Sequence, residues 1–339
     1  MQENKEKVAF VVVRYGKDIN GGAEYHCQML AERLTSEYDV EVLTTCVRNA
    51  ETGKNEYEEG NEYWNGVLIR RFKAKYRYSI VVFKELVKTD FQLRYQGSFL
   101  GVLWSVLKPL MLFAVMYMVF VRFLRFSDGT PTFAISLLCG TCLWSFFSEA
   151  TTMGMQSIVN RGDLLRKVHF PSYIIVAATT MGSMISLGIN LLVVVIFGFF
   201  SHAHYTWYML LVPLNVLQLY ALALAISLLL GTLYVYFRDV SHIWDVVLQA
   251  MFYAIPVIYP LSMVSQYFPA VSKIMLLNPI AQTIMDVRHN LLSPEDIPTV
   301  WTWVGDPILS LIPYALTALL LWLGVHVFRK NSSKFAEVL

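Results

Sequence analysis

No stretch of the 339 residues reads G-x-x-x-x-G-K-[ST], so nothing in the chain is built to hold the phosphates of ATP. Charge is scarce as well. Only 15% of the residues are Asp, Glu, Lys or Arg, against 56% hydrophobic and 14% aromatic, with a mean hydropathy of +0.48. That composition excludes an ordinary soluble protein and leaves a polytopic membrane protein. A net charge of +2 says little by itself, and no nucleic-acid partner, cofactor or metal is implied. There is no secretory signal pattern: Met1–Lys7 is polar and the apolar run behind it is only Val8–Val13, so the first stretch is expected to stay in the cytoplasm. Four cysteines give no disulfide framework. Cys139 and Cys142 form a C-x-x-C inside the apolar run Phe133–Phe147, with no basic neighbour to lower a thiol pKa, and are expected to serve helix packing. Buried acids that could relay protons do not stand out, which argues against an ion-coupled transporter. Glu149 and Asp245 read as span-end residues, while Asn190, Gln218 and Gln249 are expected to bridge helices.

Apolar runs near or above the roughly 20 residues that cross a bilayer divide the rest. The first span follows Trp104, an interfacial anchor, and continues to about Val121, with Gly97 and Gly101 as a small-residue packing face. The second lies within Thr132–Ala150, the third is Ile174–Phe200, the fourth lies within Trp207–Phe237, the fifth is Ile243–Tyr259 and the last is Ile308–Phe328. Between the last two, Leu261–Ile308 is punctuated by Pro269, Pro279, Pro294 and Pro298, which suits an external segment of re-entrant or interfacial helices. With both ends inside, three basic clusters face the cytoplasm: the approach to the first span, Arg161–Lys167 and the tail with Arg329, Lys330 and Lys334. Arg122 and Arg125 fall outside and have to snorkel.

The loop Asn160–Pro171, Asn-Arg-Gly-Asp-Leu-Leu-Arg-Lys-Val-His-Phe-Pro, carries a short helix with Asp163 as its cap and Arg166 and Lys167 toward its C-terminus, and Pro171 ends it. Charge alone leaves two readings, a topology anchor and a docking knob for a cytoplasmic motor.

The front differs. Val8–Val13 reads as a buried parallel strand, Gly21 and Gly22 open a helix over Ala23–Thr35, and Asp39–Thr45 reads as a second strand: the opening of a Rossmann-like unit. A glycine pair at a helix N-terminus can approach a phosphate or sugar. Val8–Arg14, Asn20-Gly-Gly-Ala-Glu24 and Asn65-Gly-Val-Leu-Ile-Arg-Arg-Phe72 resemble the start of a family-4 glycosyltransferase of the GT-B fold. Only its first elements are present and the donor half is missing, so a remnant, regulatory or docking module is expected. Arg70, Arg71, Lys73, Lys75 and Arg77 then cluster. Ser79–Arg94 is amphipathic, with Ile80, Phe83, Leu86, Val87, Phe91 and Leu93 on one face, Lys84, Glu85, Lys88 and Gln92 on the other, and Asp90 breaking the apolar side. This suits a helix in the cytoplasmic interface or a linker helix packed on the front unit.

From about Phe83 onward the chain resembles the permease subunit of ABC-2 type exporters, in the branch that moves O-antigen, capsule or teichoic acid polymers. Three motifs carry the resemblance: Leu93-Arg-Tyr-Gln-Gly-Ser-Phe-Leu-Gly-Val-Leu-Trp104 with Lys108-Pro109-Leu110; Asn160–Pro171; and Tyr236-Phe-Arg-Asp239 with Ile255-Pro-Val-Ile-Tyr-Pro260 and Leu277-Asn-Pro279. The resemblance implies a non-enzymatic transport subunit in the bacterial cytoplasmic (inner) membrane. Its partners would be a separate ABC ATPase, a second copy of the chain and a lipid-linked polysaccharide. It implies that Leu164, Leu165, Arg166, Lys167 and His169 contact the ATPase, and that Phe83, Leu86, Lys88 and Arg94 belong to an interface helix. A pore for sugar would use aromatic platforms, with Trp104, Phe113, Tyr117, Phe252, Tyr253 and Tyr259 as candidates.

The expected fold is thus predominantly α-helical and polytopic, with about six transmembrane helices, an interface helix, re-entrant external helices and a small N-terminal α/β fragment. The expected divisions are 1–75, 76–100 and 101–339. A drug or lipid exporter of the same architecture and a membrane-anchored glycosyltransferase are the alternatives.

Overall fold

The computed structural model describes residues 5–19, 21–49, 53–74, 78–95, 97–123, 132–167, 170–200, 203 and 205–338. The chain divides into two compact units, Met1–Val82 with Leu165–Pro171, and Phe83–Leu164 with Ser172–Leu339.

In the first unit, β1 (Lys7–Val11), α1 (Gly22–Leu34), β2 (Asp39–Thr45), β3 (Gly60–Trp64) and β4 (Val67–Phe72) form a four-stranded sheet of order β1-β2-β4-β3. β1 pairs parallel with β2 and β2 with β4. β3 and β4 form an antiparallel hairpin through Asn65-Gly66. Both turn residues have positive φ (51° and 82°), the backbone that Asn-Gly supplies in two-residue hairpins. Alternation decides the core: Val40 and Val42 of β2 and Val67 and Ile69 of β4 pack with Tyr15 and Ala31. The continuous run Val8–Val13 is not a buried strand. β1 lies at the sheet edge, where Phe10 and Val12 turn toward the core and Val11 is 81% exposed.

The basic run that follows is partly neutralised within this unit. Arg71 is buried, lies 4.0 Å over the Tyr57 ring and donates to the Tyr15 carbonyl (2.8 Å) and to Glu62 (3.0 Å). Arg70 pairs with Glu41 and Lys73 with Glu59. Lys75 and Arg77 lie outside the described residues. At the N-terminus of α1, Glu24 folds back over Gly21 and pairs with Arg14 at 2.6 Å. The chain's own carboxylate thus occupies the place considered for a phosphate.

The second unit is helical. Among the described residues five stretches are long and apolar enough to cross a bilayer: Trp104–Phe123, Phe133–Asn160, Tyr173–Phe200, Trp207–Tyr236 and Pro307–Ser332. The elements within them are α3 (Trp104–Met116), which runs on into the wider π-type winding of Tyr117–Phe123, then α4 (Phe133–Asn160), α6 (Tyr173–Phe200), α7 (Val212–Tyr236) and α14 (Ile312–Ser332). Their neighbours are α2 (Tyr78–Tyr95), α5 (Gly162–Lys167), α8 (Val240–Ala254), α9 (Leu261–Tyr267), α10 (Pro269–Leu276), α11 (Pro279–Leu291), α12 (Val300–Val304), α13 (Pro307–Ser310) and α15 (Phe335–Val338).

Three boundaries differ from expectation for identifiable reasons. α4 does not stop near Ala150 but continues to Asn160, because its last ten residues, though polar or small in part, are largely buried in the bundle. Within them Thr151 and Ser157 turn their hydroxyls back onto the helix's own carbonyls. Gly97 and Gly101 provide no packing face. Both have positive φ (74° and 51°) in the turn before α3, with nothing near a Cβ placed on either. The fifth expected span is helical only over the 15 residues of α8, about 22 Å at 1.5 Å per residue. It ends where Ile255 turns extended before Pro256, the conformation a residue preceding proline prefers.

α4, α6 and α7 pack on one another and α14 packs on α7. The apolar core is built from α4, α7, α8 and α11. α11 is enclosed on almost every side although it carries Gln282, Asp286 and Arg288, all buried. Those residues are affordable only because each is hydrogen-bonded, as described below.

Candidate functional site

α5 starts at Gly162, two residues earlier than expected, so Asp163 lies in its first turn rather than at its cap. Leu164 and Leu165 are half-buried. The side chains of Arg166 and Lys167, and His169 altogether, lie outside the described residues. The residue directly before α5 is Arg161, which ends α4, and its guanidinium pairs with Asp90 of α2. Burial pulls the Arg161 pKa below the usual arginine value, yet an arginine so paired stays a cation at neutral pH.

Asp90 belongs to a polar cluster shared by α2, α4 and α6. The Thr179 hydroxyl donates to Asp90 at 3.0 Å. One turn along α2, Arg94 pairs with Glu149 of α4 and donates to the Ser183 hydroxyl (3.1 Å) and the Thr179 carbonyl (2.9 Å). Asp90 and Arg94 are 12% and 8% exposed. Room for the guanidinium comes from Gly182, where a Cβ would stand 3.0 Å from Nη2.

The inward face of α2 is therefore Phe83, Leu86, Val87, Asp90, Phe91 and Arg94, while Lys84, Lys88 and Leu93 point out. Leu93 does not join the apolar face: although it follows Leu86 by seven residues, it is exposed near the end of the helix. Asp90 does not interrupt that face but supplies its polar anchor, and Glu149 is not a span-end residue: it sits well inside α4 with Arg94 as its partner. Acid and base four residues apart on a buried helix face were the available signal.

A second polar site lies around α11. Arg288 donates from Nε to the Ser136 carbonyl (2.8 Å), from Nη1 to Pro256 (2.7 Å) and from Nη2 to Val257 (2.6 Å). Two of these acceptors, Pro256 and Val257, lie just beyond the end of α8, where the backbone leaves the helix ladder, and the third belongs to α4. Gln218 of α7 donates to Gln282 (2.6 Å), and Gln282 and the Tyr314 hydroxyl donate to Asp286 (2.5 and 3.1 Å). Gln218 thus bridges helices as expected. Burial raises the Asp286 carboxyl above the usual carboxylate value, and the Gln282 and Tyr314 hydrogen bonds oppose that rise. Buried charges do exist here, contrary to expectation, but they hold helices and a chain break together rather than forming a file of acids.

The aromatic candidates fall at three places. Phe252, Tyr253 and Tyr259 gather at the end of α8: Phe252 and Tyr253 are 5.3 Å apart edge to face, and the Tyr259 hydroxyl donates to the Tyr253 carbonyl at 3.1 Å. Tyr253 is 60% exposed, while Phe252 packs on Trp144. Tyr259 also lines a cavity of about 210 Å³ with Phe133, Arg288, Asp296 and Trp303. Trp104 stands apart and exposed at the start of α3. The Tyr117 ring lies tilted against that of Phe113 at 5.9 Å, with the Arg122 guanidinium 5.8 Å from its ring. Arg125 lies outside the described residues.

The profile of the ABC-2 type transporter family matches residues 81–292, which contain the polar cluster, α5 and all of α11. The chain is 30% identical over 270 residues to the O-antigen export system permease protein RfbA of Myxococcus xanthus, covering 80% of this chain and 99% of that protein. Two O-antigen export system permease proteins RfbA of Klebsiella pneumoniae are each 24% identical, covering 79% and 80% of this chain and 98% and 99% of their own lengths. Long apolar helices joined through a short basic helix, matched over most of their length by permeases, make this chain a member of the ABC-2 type transporter family.

Proposed function

We propose that the protein is the permease subunit of an ABC exporter that moves a lipid-linked O-antigen-type polysaccharide across the bacterial cytoplasmic membrane. The observation that carries the reading is the near-complete coverage of the Myxococcus xanthus permease. The chain has no phosphate-binding loop, so the energy comes from a separate ATPase subunit, which docks on Leu164, Leu165, Arg166, Lys167 and His169. A second copy completes the pore. Phe252, Tyr253 and Tyr259 at the end of α8, Trp104 at the start of α3 and Tyr117 beyond its end offer ring faces to the apolar C–H faces of sugars.

Both ends of the chain lie in the cytoplasm in this reading. α7 returns the chain to the side that α3 left, and α14 ends on the basic pair Arg329 and Lys330. One more crossing is needed between them. α8, at about 22 Å, supplies most of that crossing, and the non-helical Ile255–Pro260 that follows completes it.

Residues 1–80 stand outside the family match and work as a docking or regulatory module rather than a transferase. Their sheet stops at β1, and Glu24 takes the helix N-terminus a donor phosphate would need.

The test is co-purification from detergent of the wild type and of a variant with Leu164, Leu165, Arg166 and Lys167 replaced by Ala and Ser. The expected result is an ATPase accompanying the wild type and lost from an intact, monodisperse variant. A wild type that brings no ATPase would overturn the motor-driven reading.

A further inference from the structure

We propose that the Asp90–Arg161 and Arg94–Glu149 pairs are positioning residues that transmit displacement of α5 to α2 and the spans, so that they set how much export each ATP hydrolysis yields. The inference rests on the permease reading above.

The argument begins with sequence adjacency. Arg161 immediately precedes α5, so any displacement of α5 moves the Arg161 backbone directly. The Arg161 side chain ends on Asp90, and Asp90 is held by the Thr179 hydroxyl of α6. Arg94, four residues along α2, faces the same way. It grips the Thr179 carbonyl and the Ser183 hydroxyl on α6 and the Glu149 carboxylate on α4. The Ser183 hydroxyl also donates to Glu149 at 3.3 Å, which closes the network. α2 is thus tied at two levels: to the end of α4 beside α5, and to a point twelve residues, or about 18 Å, back along the same helix.

Simple fastening does not require charge. Helices in an apolar setting are held as well by packing, and buried ion pairs are often matched in stability by apolar residues of similar size. Charged pairs differ from packing in being directional and discrete, which suits a linkage with two arrangements. One further observation points the same way. The Arg94 Nε is buried and has no hydrogen-bond partner among the described residues. The guanidinium is therefore not saturated in this conformation and can gain a contact in another.

The experiment uses the complete complex of permease and ATPase, reconstituted in vesicles, with ATP turnover and polymer transport measured on the same sample. For Asp90→Asn the expected result is an intact complex with ATP turnover within about two-fold of wild type and transport per ATP reduced about ten-fold. The charge exchange Asp90→Arg with Arg161→Asp is expected to recover at least half of the lost ratio. A merely structural role would lower turnover and transport together and leave their ratio unchanged, which would overturn the proposal. An exchange that folds and retains the ATPase, yet restores nothing, would also overturn it. Absence of an ATPase from the wild-type preparation would refute the permease reading instead, so the two failures are distinct.

Discussion

The guanidinium of Arg288 donates to the carbonyl of Pro256 at 2.7 Å, joining the middle of an enclosed helix to the place where another helix ends. With the Ser136 and Val257 carbonyls also bound, one side chain fixes α11, the start of α4 and the break after α8.

Replacing Arg288 by Met should leave the non-helical Pro256 and Val257 carbonyls without that donor, at about 1–3 kcal/mol for each unsatisfied group. The expected outcome is a large fall in the melting temperature in detergent, with Lys recovering only part because an ammonium cannot reproduce the planar fork. A methyl at Gly140 would overlap Arg288 Nη2. Gly140→Ala should therefore destabilise to a similar degree, and the double variant should cost much less than the sum. Gly188→Ala, with nothing within 4 Å of a Cβ, serves as the neutral control. Strict additivity of the two changes would mean that Gly140 is not there to admit the arginine.

Gly324 of α14 faces α7 so closely that a Cβ would lie 2.7 Å from the Ala225 carbonyl oxygen. Backbone cannot swing aside as a side chain does. Gly324→Ala should force the two helices apart and cost about 1–3 kcal/mol. Thermal unfolding followed by size-exclusion chromatography checks this, and an unchanged profile would show that the helices can slide without loss.

Asp286 lies on α11, outside the five spans, and its pKa is raised by burial. A carboxyl whose folded pKa lies above its unfolded value near 4 binds its proton more tightly in the folded protein. Its contribution is most favourable below that unfolded value and is lost as pH rises through the raised one. Stability in detergent should therefore fall with rising pH over that interval in the wild type and be flatter in Asp286→Asn. Parallel curves would assign the slope to other groups.

Much of the architecture was legible from composition, because runs of about 20 apolar residues have few alternatives to spanning a membrane. The short helix between the second and third spans was legible for the same reason, since its charges cannot lie in hydrocarbon. What escaped was the partnering of polar residues. Asp90 read as a flaw in an amphipathic face because its partner Arg161 is 71 residues away and no local pattern ties them. Arg288 was not singled out, since its acceptors are backbone carbonyls, which no side-chain motif announces. The length of α8 was overestimated because hydropathy continues through Ile255–Tyr259 after the helix has stopped at a proline. β1 read as buried because a run of Val and Phe looks alike in a central strand and in an edge strand whose neighbour is lacking.

The composition of α11 has a consequence for biogenesis. A 13-residue segment bearing Asp286, Arg288 and His289 cannot partition into lipid alone, yet its native surroundings are α4, α7 and α14. α4 and α7 leave the ribosome before it, and α14 after it. The segment must therefore wait at the membrane surface until its greasy neighbours are inserted, and then enter the space they have kept for it. Synthesis halted before Pro279 would release a bundle with its middle empty, a natural target for membrane quality-control proteases.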